Sequence, residues 1–182
     1  MHQNLYAGCR FALGMVLFLA LGSSAQAGSF QDGRLRLEIN GVGGIYSGKT
    51  DRSGDYYVGG SVEYEWAAFK KASLGLRFYP LFVYPEPKPV YGVAGGVTAR
   101  IYKNQEERNG LFAEVGSAVL WHSRYFKENN SRINFLSEIG VGYQFPKNDW
   151  HLALKYHHIS NAGLASENAG INGVGLSVGY KF

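Results

Sequence analysis

Residues 132–145 read Arg132-Ile133-Asn134-Phe135-Leu136-Ser137-Glu138-Ile139-Gly140-Val141-Gly142-Tyr143-Gln144-Phe145. Successive side chains of a strand point to opposite faces, so the segment is read by parity. The odd positions carry Ile133, Phe135, Ser137, Ile139, Val141, Tyr143 and Phe145. The even positions carry Arg132, Asn134, Leu136, Glu138, Gly140, Gly142 and Gln144. One face is greasy and the other polar. A helix would need its apolar residues at three- and four-residue spacing instead.

The same split recurs outward from this segment. At the end of the chain Val174, Leu176, Val178, Tyr180 and Phe182 share one face, with Gly173, Gly175, Ser177, Gly179 and Lys181 on the other. Near the beginning, Leu35, Leu37 and Ile39 oppose Arg34, Arg36 and Glu38. Continued along the chain, the pattern predicts eight strands, near 33–46, 55–67, 72–83, 89–102, 110–122, 132–145, 149–160 and 173–182. Their polar faces collect Arg34, Arg36, Glu38, Glu63, Glu65, Arg77, Arg100, Glu114, Glu138 and Lys155. A soluble barrel, such as a lipocalin-like binder, keeps aliphatics inside and charge outside. Charge of both signs inside an apolar exterior predicts the opposite arrangement, that of a barrel embedded in lipid. Only a closed sheet leaves no backbone groups unpaired there. The expected fold class is therefore all-β, an eight-stranded antiparallel transmembrane β-barrel of the outer-membrane type. At eight strands the lumen is filled by side chains and is not a pore.

Composition agrees. The chain of 182 residues holds 25 Gly, 13 Tyr, 11 Phe and 3 Trp, the mixture expected of strands, turns and aromatic girdles. Basic side chains number 18 against 14 acidic, and they are scattered, which speaks against a nucleic-acid partner. Arg10, the apolar run Phe11 to Leu21 and the small-residue site Ala25-Gln26-Ala27 have the layout of a secretory signal peptide. We therefore expect a signal peptide at 1–27 and the barrel domain at 28–182. The one cysteine, Cys9, falls in the signal segment, so disulfides and thiol catalysis are excluded from the mature chain. With both termini in the periplasm, the short turns near 68–71, 103–109 and 146–148 face inward. The loops near 47–54, 84–88, 123–131 and 161–172 face outward. Trp66 and Trp150 then sit at one rim and Trp121 at the other. The terminal Phe182, after alternating apolar residues, has the form of a signal for the barrel-assembly machinery.

The seventh segment, Trp150 to Ser160, carries the chemistry. Its even face, Trp150, Leu152, Leu154, Tyr156, His158 and Ser160, is the lipid side, while His151, Lys155 and His157 point inward. His158 and Ser160 thus share a face at the outer end of the strand, about 7 Å apart at Cα. A histidine beside a serine hydroxyl is the minimal base and nucleophile for acyl transfer. The plainer reading is two polar residues at headgroup level, in a structural or adhesive barrel whose outer loops bind partners. His151 and His157 have no second ligand at metal spacing, so no metal is expected. The glycines at 92, 95 and 96 lack the following helix that a nucleotide site needs.

The string His158-Ile159-Ser160-Asn161-Ala162-Gly163-Leu164, followed by Asn168-Ala169-Gly170-Ile171-Asn172, resembles the PagL-type lipid A 3-O-deacylases, which are eight-stranded outer-membrane barrels. The detailed likeness covers roughly the last 25 residues. The resemblance implies that Ser160 is the nucleophile and His158 its base. It also matches Asn161, Gly163, Asn168 and Gly170 to the substrate loop, where asparagine amides or backbone N–H groups could form an oxyanion hole; the plainer reading of these residues is ordinary turn chemistry. The substrate implied is lipid A of lipopolysaccharide, at a site facing the outer leaflet of a bacterial outer membrane, with no cofactor. A homodimer is left open. One position departs from the pattern. The family carries a Glu twelve residues after the serine, where this chain has Asn172. Asn172 has the parity to stand behind His158, but an amide brings no charge to an imidazolium. Glu167, in the loop, is the alternative acid.

Overall fold

The computed structural model describes residues 30–46, 51–85 and 88–182. The expected signal segment at 1–27 and parts of two outer loops lie outside them. After a short 3-10 turn, Phe30–Asp32, come eight strands: β1 Arg34–Gly44, β2 Tyr56–Phe69, β3 Ala72–Tyr84, β4 Val90–Asn104, β5 Asn109–His122, β6 Ile133–Gln144, β7 Trp150–Ser160 and β8 Ile171–Lys181. Each pairs antiparallel with the next, and β8 closes on β1 through pairs from Arg36–Lys181 to Gly44–Gly173. The eight expected segments match these strands within two residues at each end.

Parity decides which way each side chain points. On β6 the residues Asn134, Leu136 and Glu138 are buried in the lumen, whereas Ile133, Ile139 and Val141 are exposed on the outer wall. The outer wall also shows Leu37, Ile39, Phe78, Leu152, Leu154 and Leu176. So much exposed apolar surface is stable only against hydrocarbon. In β3 the alternation slips at Pro80-Leu81, and both side chains face outward. The register jumps there on both flanking strands, between Phe78 and Leu81 against β2 and between Tyr79 and Phe82 against β4. A bulge suits proline, which has no N–H to give the ladder.

The lumen is divided. Its half nearer the termini is ionic. Arg36 pairs with Glu65 at 3.1 Å, Arg100 reaches Glu63 at 2.6 Å and Glu114 at 2.6 Å, and Lys155 bonds Glu38 at 2.5 Å and Glu114 at 2.6 Å. Arg77 holds Glu63 at 2.5 Å and also bonds Glu138. Charges this far from water are tolerated only when paired, and their mixed signs make that pairing available. Of the ten polar-face residues expected inside, only Arg34, at the rim, is less than buried. The other half of the lumen is mainly apolar, packed with Tyr57, Tyr79, Phe82, Tyr84, Leu120, Phe126, Leu136, Ile159 and Ile171 around a few buried polar groups. Ile159 and Ile171 are neighbours across β7 and β8. They anchor from within the stretch of wall that bears His158, Ser160 and Asn172 on its outside.

Candidate active site

The β7–β8 register sets His158 directly opposite Asn172. Both have even parity and therefore share the outer face with Ser160, as the alternation requires. His158 Nε2 lies 3.1 Å from Ser160 Oγ, and His158 Nδ1 lies 2.8 Å from Asn172 Oδ1. The Tyr156 hydroxyl donates to the same Asn172 oxygen at 2.6 Å. An amide oxygen can only accept. His158 therefore carries its proton on Nδ1, donating to Asn172, and turns a bare Nε2 toward the serine hydroxyl. That is the tautomer a general base needs.

Glu167, the alternative acid, does not stand behind the imidazole. It is exposed in the loop, and the place at His158 Nδ1 is taken by Asn172. Glu167 contributes its backbone oxygen instead, accepting from Asn161 Nδ2 at 2.7 Å.

The loop after Ser160 turns back at once. Leu164 N–H bonds Asn161 O at 3.0 Å across Ala162 (φ 51°) and Gly163 (φ 86°). Two successive positive φ values make this a type I′ turn, in which Gly163 is at ease and Ala162 is strained. Asn161 is wholly buried and its groups are committed. Its N–H donates to Asn168 Oδ1 at 2.9 Å, and its Oδ1 accepts from Gly163 N–H at 2.8 Å. Ordinary turn chemistry therefore accounts for the hydrogen bonds of Asn161 and Gly163. Both are spent holding the turn together. Asn168 differs, because its Oδ1 is fixed by Asn161 while its Nδ2 meets no acceptor among the described residues. Gly170 serves by being small. A Cβ there would lie 2.7 Å from Ile159 O, 3.5 Å from His158 Cε1 and 3.6 Å from Ser160 Cβ.

Two participants escaped the sequence reading. In the sequence Tyr156 is only one more residue of the lipid-side face. Its signal was parity, since a residue two before His158 on the same face lies diagonal to Asn172. Asn129, in the β5–β6 loop, gave no signal; it reaches the site only through tertiary folding. His151 and His157 point inward as expected. His151 Nε2 lies 3.1 Å from Glu38, and His157 Nδ1 lies 2.6 Å from the Tyr57 hydroxyl.

Comparison with known proteins identifies the family. The family model described as Lipid A 3-O-deacylase (PagL) matches residues 40–181. The chain belongs to that family. Among solved structures it is similar to the outer membrane enzyme PagL, with a TM-score of 0.60 at 18% identity, covering 81% of this chain and 98% of that one. A de novo designed transmembrane β-barrel aligns with a TM-score of 0.51 at 13% identity, over 87% of this chain and 98% of that one. Neisserial surface protein A aligns with a TM-score of 0.50 at 13% identity, over 86% and 98%. Identities this low speak for the fold alone. No curated protein matches the chain. Membership in the family makes the chain a relative of lipid A deacylases; which atoms act is a matter for the site itself.

Proposed function

We propose that this protein is a serine esterase of the bacterial outer membrane that removes the 3-position hydroxy-acyl chain from lipid A of lipopolysaccharide. The observation that carries the reading is the line Ser160 Oγ, His158 Nε2, His158 Nδ1, Asn172 Oδ1, with links of 3.1 and 2.8 Å, on the outward face at the end of β7. A lipid ester reaches such a site without leaving the membrane.

In the proposed reaction His158 Nε2 takes the Ser160 proton as Oγ attacks the ester carbonyl. The tetrahedral oxyanion is met by the Asn168 Nδ2 donors. The intermediate collapses by expelling the sugar hydroxyl, to which His158 returns the proton. The acyl group is now on Ser160. Water, deprotonated by His158, then attacks the acyl-enzyme, releasing the hydroxy-fatty acid and restoring the serine. No cofactor enters. The chain would be exported by the segment 1–27 and inserted by the barrel-assembly machinery through the Phe182 end, leaving 28–182 in the membrane.

The test is mass spectrometry of lipid A incubated with the purified barrel. The expected result is loss of one hydroxy-acyl chain from the 3-position, abolished by Ser160→Ala in a barrel that still folds. A Ser160→Ala variant that remains active refutes the assignment. Asn172 supports a second reading, a barrel of weak or lost activity, because no carboxylate backs the imidazole. On that reading the wild type leaves lipid A unchanged under conditions where Asn172→Asp removes the chain.

A further inference from the structure

Four polar side chains in and beside the outer end of the lumen are wholly out of water: His122, Asn129, Asn134 and Asn161, each at 0% exposure. They form one continuous hydrogen-bonded chain. Asn161 Nδ2 donates to Asn129 Oδ1 at 3.4 Å, Asn129 Nδ2 to Asn134 Oδ1 at 2.9 Å, and Asn134 Nδ2 to His122 Nε2 at 2.5 Å. His122 Nδ1 in turn donates to the Arg124 carbonyl. Every link runs in the same direction, so each amide has one allowed orientation. Burying this many polar groups is costly unless all are satisfied. An apolar filling like the Phe82, Tyr84 and Phe126 beside it would pack the same space.

The chain ends at the active-site loop. Asn161, its terminal member, follows the nucleophile directly and fixes Asn168 through its own N–H. The β5–β6 loop grips the same segment by its backbone. Ala169 N–H bonds Glu128 O at 2.8 Å, and Asn129 bridges Asn168. Arg52, from the β1–β2 loop, donates to Lys127 O at 2.5 Å and Ala169 O at 3.3 Å. Phe126 anchors the β5–β6 loop in the lumen against His122, at 4.1 Å between ring centroids. Two of the three non-glycine residues with positive φ among the described residues, Glu128 (56°) and Ala162 (51°), flank this junction. Such strain persists only where the surroundings over-determine it.

We infer that Asn129, backed by Asn134 and His122, is a positioning residue for the proposed esterase, fixing the 161–170 loop so that Asn168 presents its free amide donors beside Ser160. The inference rests on the reading of Ser160 as nucleophile. It adds a determinant on β5, β6 and their loop, all outside the motif that ends the chain.

The experiment uses the full barrel folded in detergent, as wild type, Asn129→Ala, Asn129→Asp, His122→Phe and His122→Gln. Amide hydrogen exchange across 161–170 is measured beside kcat and KM for deacylation of purified lipopolysaccharide. In Asn129→Ala, loop exchange rises tenfold or more and kcat falls tenfold or more, with KM within twofold. Asn129→Asp keeps the acceptor for Asn161 but loses the donor to Asn134, and gives a smaller change in the same direction. His122→Phe keeps the ring packed on Phe126 without an acceptor, and also loosens the loop. His122→Gln, whose Oε1 can accept from Asn134, restores exchange and kcat to within threefold of wild type. Unchanged loop exchange in Asn129→Ala overturns the inference. So does equal damage from Gln and Phe at 122, which would mean that bulk and not hydrogen bonding matters. If Asn129→Ala does not fold, the Asn129→Asp and His122 pairs decide. A wild type that releases no acyl chain, indifferent to Ser160→Ala, sinks the esterase reading instead; loop exchange then still reports whether Asn129 holds the loop.

Discussion

Asn172→Asp isolates what charge behind the histidine is worth. The substitution is isosteric, so the oxygen that accepts from His158 Nδ1 at 2.8 Å and from the Tyr156 hydroxyl at 2.6 Å stays in place. The change adds one negative charge. As Ser160 gives up its proton, His158 becomes an imidazolium whose charge is centred about 4 Å from that oxygen. Two unit charges at that separation attract by about 4 kcal/mol in surroundings of effective dielectric near 20. His158 is only half-buried, and screening reduces this to about 2 kcal/mol. A barrier lowered by that amount raises kcat roughly thirtyfold. The comparable swap in a serine protease costs about 10⁴, but much of that loss reflects a wrong tautomer. Here the amide oxygen already faces the imidazole, so the tautomer is right and only the charge is missing. Release of hydroxy-fatty acid from lipopolysaccharide, followed in time by mass spectrometry, gives the rate. A kcat equal to or below wild type, in a barrel that folds normally, refutes the argument that charge limits the reaction. A gain above a thousandfold refutes it in the other direction, because the native amide would then be holding the wrong tautomer.

Three further outcomes follow from the same geometry. Tyr156→Phe removes one of the two donors on Asn172 Oδ1 and, at about 1 kcal/mol for a hydrogen bond, lowers kcat about fivefold; an unchanged rate would show that Asn172 needs no second partner. Gly170→Ala drives a methyl to 2.7 Å from Ile159 O beside His158 and Ser160, so the backbone must shift and activity falls at least tenfold while the barrel survives; full activity would show that the loop yields freely. Arg77→Met removes the arginine paired with buried Glu138 and one of the two arginines on buried Glu63, and lowers stability to urea, read by the gel shift of folded against unfolded barrel, by about 3–5 kcal/mol; a loss below about 1 kcal/mol would mean the remaining cations suffice.

Most of the fold was legible because a membrane barrel writes its structure in period two. Lipid rewards apolar side chains on one face and a filled lumen rewards paired charge on the other, so Ile139 and Glu138 declare their sides without knowledge of any neighbour. The same alternation put His158, Ser160 and Asn172 on one outer face. Where alternation breaks, at the Pro80-Leu81 bulge, local pattern could not say which strand would slip. Parity also gives a residue's face but not its partner. Tyr156 on the lipid-side face, Glu167 as a candidate acid and Asn161 as a candidate donor take their roles only from the hydrogen bonds.

The amino-acid order by itself determined the barrel, the inward and outward faces and the juxtaposition of His158 with Ser160, because all three depend on contacts within a strand or on its solvent. Tertiary structure alone decided that Asn172 and not Glu167 backs the imidazole, since strand register sets what lies across from His158. The side-by-side pairing of the last four strands decided that Asn129, some thirty positions before Ser160, reaches the loop beside it. No local pattern encodes such a meeting; it exists only when β5, β6, β7 and β8 are hydrogen-bonded side by side.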